Sequence, residues 1–124
     1  MKTEKPEILT ALKKLLSKYS KSMKVTKDSE KAYELYCTKK VNMFNKEIDG
    51  LYFASAVIQG GFVGLYFFPI YTNPKNFAEL PAELRKCLKG KSCFHIKKLD
   101  KGLELQIKEM LKQGFDLYKK AEIA

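Results

Sequence analysis

The clearest pattern of apolar and polar positions lies in the middle of the chain, where two apolar runs, Leu51 to Ile58 and Phe62 to Phe68, flank Gly60-Gly61. Two β-forming runs around a glycine pair predict a β-hairpin. With the turn at the glycines, Ile58 falls opposite Val63, Ala56 opposite Leu65 and Ala54 opposite Phe67, all on one face. Alanines there let a helix lie close to the backbone, so this face is expected beneath the helices. The other face then presents Phe53 against Phe68, Ser55 against Tyr66, Val57 against Gly64 and Gln59 against Phe62.

Helical periodicity brackets this hairpin. Over about residues 4–20, Ile8, Leu9, Leu12, Leu15, Leu16 and Tyr19 recur on one side with Lys13, Lys14 and Lys18 on the other. Thr3 is placed to cap this helix, and Pro6 suits its first turn. At the other end, Asp100 caps a stripe of Leu103, Ile107, Met110, Leu111, Gly114, Leu117 and Tyr118. A short helix is expected from Pro81 to Leu88 with Gly90 as its left-handed cap. Residues 91–97 alternate as a strand, with Phe94 and Ile96 inward and Cys93 and His95 outward. Residues 32–44 read as one bent strand or two short ones, Asp49-Gly50 as a tight turn, residues 20–30 as a loop with room for a short extended piece, and residues 69–80 as a loop. The order implies a single α+β domain over residues 1–124: an antiparallel sheet of four to five strands with N- and C-terminal helices packed on one face.

Composition narrows the classes. No apolar stretch reaches the roughly 20 residues that cross a bilayer, because Gln59-Gly60-Gly61 and Pro69 interrupt the richest region, so no membrane partner is expected. The N-terminus runs directly into a charged helix pattern, without the apolar core of a secretion signal. Cys37, Cys87 and Cys93 are odd in number and lack a C-x-x-C pair, which fits reduced thiols in a cytoplasm. The net charge of +10 favours anionic partners, yet Arg85 is the single arginine among 24 basic residues. Lysine is a hydrated point charge without the planar fork that reads bases, so sequence-specific nucleic-acid recognition is disfavoured, while salt-sensitive attraction to polyanions stays open.

The aromatic face of the hairpin holds the candidate chemistry. Ser55 and Gly64 would form a shallow floor among Phe53, Phe62, Tyr66 and Phe68, with Lys91, Cys93, His95 and Lys97 along the neighbouring strand. An apolar dish with a basic rim suits a small anionic and partly apolar ligand or a protein partner. The alternative is a face covered by residues 69–80, by residues 20–30, or by a second copy in a homodimer. Cys93 and His95 share a face but have no third group to orient them, so no enzyme is expected. His95 is the only histidine and the cysteines are widely spaced, so neither metal nor cofactor is expected.

The segments Asp49-Gly50-Leu51-Tyr52-Phe53-Ala54, Phe62-Val63-Gly64-Leu65-Tyr66-Phe67-Phe68-Pro69 and Lys89-Gly90-Lys91-Ser92-Cys93-Phe94-His95-Ile96, followed by the amphipathic terminal helix, resemble the YdhG-like family of small bacterial domains of unknown function. The resemblance covers about the last two thirds of the chain. It implies a frataxin-like architecture, with helices on one side of an antiparallel sheet, and iron handling as a second functional reading. Frataxin-like iron delivery depends on an acidic first helix and strand edge, and here those positions are rich in lysine.

Overall fold

The computed structural model describes all 124 residues. Helix α1 (Lys5–Ser17) is followed by β1 (Lys24–Asp28), β2 (Ala32–Tyr36), β3 (Lys40–Met43), β4 (Lys46–Asp49), β5 (Tyr52–Ile58) and β6 (Val63–Phe67), then by α2 (Pro69–Thr72), α3 (Ala82–Cys87), β7 (Leu88–Lys89), β8 (Cys93–Ile96) and α4 (Lys101–Lys120). Six strands form an antiparallel sheet in the order β1-β2-β5-β6-β8-β7, and β3 with β4 form a separate hairpin. The sheet exceeds the expected four to five strands because β1 and β7 leave no side-chain signature. All five β1 residues are exposed, and β7 has two.

The central hairpin has the expected register, with Ala54↔Phe67, Ser55↔Tyr66, Ala56↔Leu65, Val57↔Gly64 and Ile58↔Val63. Ala54, Ala56, Val63, Leu65 and Phe67 are fully buried on the side that receives α1 and α4. There α1 contributes Ile8, Leu12 and Leu16, and α4 contributes Ile107, Leu111 and Tyr118. Asp100 caps α4 as expected, its Oδ1 accepting from the Leu103 amide at 2.8 Å. Helix α1 begins instead at Glu4, without a side-chain cap, so the expected role of Thr3 is not realised and Pro6 sets the first turn.

One expected site residue lies on the opposite face. Between Leu35↔Ala54 and Tyr36↔Tyr52 the ladder skips Phe53, which is a β-bulge. The bulge breaks the two-residue alternation, so Phe53 and Ala54 both turn inward. Phe53 is fully buried, and its ring meets those of Tyr19, Tyr118 and Phe115 edge-on at 5.7, 5.7 and 6.3 Å. Tyr52 takes the outward place assigned to Phe53. The Tyr118 hydroxyl fastens α4 to this point by donating to the Tyr52 carbonyl at 3.0 Å.

Of the segments expected as loops, residues 69–80 reach the outer face through Tyr71, which stacks on Phe68 at 5.3 Å. Residues 24–28 extend the sheet as β1. In the segment after β6, Phe77 closes a 3₁₀ turn and packs edge-on against inward-facing Phe67 at 5.3 Å, which holds that turn on the helix side. Gly90, with φ +73°, turns β7 into β8 rather than capping α3, which ends in extended backbone at Leu88. Gly114 lets α4 approach the sheet: a Cβ there would be driven into the Phe67 ring and would stand 3.0 Å from Pro69 Cβ.

Candidate functional site

The outer face of the sheet carries rings across its strands instead of the short polar side chains of an ordinary wet face. Tyr36 on β2 lies 5.0 Å from Tyr52 on β5, Tyr52 lies 5.9 Å from Phe68 at the end of β6, and Phe68 stacks on Tyr71 of α2 at 5.3 Å. These rings form a row perpendicular to the strands. All but Tyr71 are half-buried, and Tyr71 is 44% exposed. Lys24 pairs with Tyr36 across the ladder at one end of the row, and the Lys91 ammonium stands 5.7 Å from the Tyr71 ring at the other. Lys27 and Lys89 share this face by register, and Lys97 follows His95 in phase just beyond β8. Glu34 also faces outward, where its carboxylate accepts from Thr26 at 2.7 Å.

The floor expected at Ser55 and Gly64 is roofed by tyrosines. Ser55 is buried and hydrogen-bonds the Tyr52 hydroxyl, and the Tyr66 ring lies over Gly64. The face is therefore a ribbed platform. Gln59 donates to the Tyr66 hydroxyl at 3.1 Å, and burial is the main cause that raises both the Tyr52 and the Tyr66 phenol above their ordinary range.

Cys93 and His95 project outward opposite Tyr66 and Gly64, as the alternation predicts. They share no hydrogen bond. Phe62 stacks flat on the imidazole at 3.8 Å, while the Cys93 thiol neighbours Tyr66. Burial pushes the Cys93 thiol up, against a smaller lowering by the Tyr66 hydrogen bond, so it holds its proton at neutral pH and is a weak nucleophile. Of the expected site residues, Ser55, Phe62, Tyr66, Phe68, Cys93 and His95 thus share the outer face, Lys91 and Lys97 lie at its margin, and Phe53 lies behind it.

A cleft at the β7 edge escapes the sequence pattern. Ile70, Phe77 and Leu80 form its buried walls, with Leu88 beside them and Tyr71 at the mouth, around a volume of about 530 Å³. Arg85 and Lys91 also line it, and no carboxylate does. The contributing residues spread over 70–91, in segments that read separately as a proline-rich loop, a short helix and a turn.

No group of three or more histidine, cysteine, aspartate or glutamate side chains converges to hold a metal ion. No helix is long and apolar enough to cross a membrane. Compared with protein-family models, curated proteins and solved structures, the chain finds no match.

Proposed function

We propose that this chain is a non-enzymatic binding module of the cytoplasm whose outer sheet face receives an anionic ligand bearing flat apolar rings, the chemistry of a single-stranded polynucleotide bound without sequence preference. The observation that carries this reading is the row Tyr36, Tyr52, Phe68 and Tyr71 with a lysine at each end. Bases stack on aromatic faces whatever their identity, and cations along a platform's edges neutralise the backbone. Lysines supply charge without reading base edges, which suits binding indifferent to sequence. A compact ligand that must be enclosed fits the face less well, because Tyr52 and Tyr66 fill its floor.

The chain has no tryptophan, so its intrinsic emission comes from tyrosine, and four of its seven tyrosines, Tyr36, Tyr52, Tyr66 and Tyr71, lie on the face. Titration with an oligothymidylate of about twelve nucleotides, within the usual site sizes for such platforms, is expected to quench that emission. Affinity is expected to fall linearly on a logarithmic salt axis. Tyr36→Leu should weaken binding about ten-fold at unchanged salt slope, and Lys24→Glu with Lys91→Glu should flatten the slope. Heparin binding as tightly as the oligonucleotide, without tyrosine quenching, would reduce the face to a charged surface and refute the stacking role.

A further inference from the structure

The cleft at the β7 edge differs from the ring row in chemistry and in shape, and Tyr71 and Lys91 are common to both. Its walls are hydrocarbon: Ile70, Phe77 and Leu80 are buried, yet the space between them and Leu88 is empty, at about 530 Å³. That volume lies in the range of small-molecule sites, of about 300–1,000 Å³. A cleft serving only as a packing defect would be expected to carry no organised charge.

This one does. Arg85 lines the cleft and donates from Nη2 to the Leu80 carbonyl at 2.8 Å, which ties the guanidinium to the cleft wall and leaves most of its five donors free. The four ion pairs of the molecule join Lys2 to Glu104, Lys13 to Asp28, Lys86 to Glu83 and Lys112 to Asp116. None involves Arg85 or Lys91. The single arginine of the chain therefore stands beside an apolar hole, together with a lysine, and neither has an acidic partner. A guanidinium fork binds a carboxylate or a phosphate through two parallel hydrogen bonds, whereas a lone lysine gives only a point charge.

We infer that this cleft is a binding site for a small amphipathic anion, a carboxylate or phosphate monoester on a hydrocarbon body, with the head group on Arg85 and Lys91 and the body between Ile70, Phe77 and Leu88. Tyr71 at the mouth belongs both to the cleft and to the ring row, so an occupant would touch the end of the platform.

The test is calorimetric titration of the full chain with decanoate, decyl phosphate, decanol and acetate. Saturable one-to-one binding of decanoate or decyl phosphate is expected, with decanol and acetate at least about ten-fold weaker, because each lacks one half of the match. Whichever acid binds more tightly identifies the head group. Arg85→Gln should weaken the acid about ten-fold, as loss of a charge-assisted bond does. Ala78→Trp, at an exposed position on the lining, should block binding while leaving the melting temperature in place. Tyr36→Leu should leave it unchanged, which keeps a failure here distinct from a failure of the sheet-face reading. Decanol binding as tightly as the acids, an unaltered affinity in Arg85→Gln, or no saturable binding by either acid would each overturn the inference.

Discussion

The two faces of the six-stranded sheet both carry aromatic side chains and place them differently. The inner face holds Phe53, Phe67 and Phe94, fully buried and without a polar atom to satisfy, and the buried ring of Tyr33. Facing outward are Tyr36, Tyr52 and Tyr66 with Phe62 and Phe68, rings kept at the boundary with water. A phenol suits that boundary because its body is apolar and its tip can stay hydrogen-bonded, as Tyr52 is to Ser55 and Tyr66 to Gln59. The contrast separates ring area buried in the core from ring area kept at the surface.

The inner face should break first. Phe53→Ala removes a ring met by four others and is expected to cost about 3–5 kcal/mol in denaturant unfolding. Alkali should give the next largest effect, through a thiol on the buried side. Burial pushes the Cys37 thiol from 9.0 up to about 11, so the folded chain keeps a proton that the unfolded chain releases. The corresponding stability is complete below pH 9 and is lost between pH 9 and 11 at about 1.4 kcal/mol per pH unit. Urea midpoints measured across that window should fall, and Cys37→Ala should flatten the decline. Tyr52 and Tyr118, whose phenols burial also raises, extend the loss to higher pH. Gly114→Ala is expected to lose about 1–2 kcal/mol by thermal unfolding, since the forced shift of Phe67 outweighs the gain in helix propensity. Least affected should be Tyr71→Ala on the outer face, within about 0.5 kcal/mol of the parent. A larger loss there would show the ring row to be structural and would erase the distinction between the faces.

Much of this architecture is written in the residue pattern. The glycine pair and the alternation from Ala54 to Phe67 define which side chains meet across the central hairpin, and the backbone realises each pair. Asp100 and the stripe from Leu103 to Tyr118 are equally legible, because a cap and a 3.6-residue repeat both leave marks in the sequence. Strand β1 leaves none: an edge strand exposed on every residue has no alternation to read. The inward turn of Phe53 is hidden for a different reason. A bulge is a backbone event, and between two adjacent aromatics, Tyr52 and Phe53, side-chain chemistry does not say which is the extra one. Gly90 could serve a helix cap or a hairpin turn, since both use the left-handed backbone. Within the candidate site, same-face membership was readable for Tyr66, Phe68, Cys93 and His95, whereas the roofing of Ser55 and Gly64 depends on rotamers. The cleft depends on segments from residues 70 to 91 that meet only after folding.

The skipped residue in β5 also says how the chain tolerates editing. Deleting Phe53 would let Tyr52 follow directly on Ala54 along the ladder, so Leu35↔Ala54 and Tyr36↔Tyr52 would become consecutive rungs. Every outward letter would then read as before, while the dry side would lose one ring and keep the hole. The bulge thus acts as an insertion legible on only one side of the page.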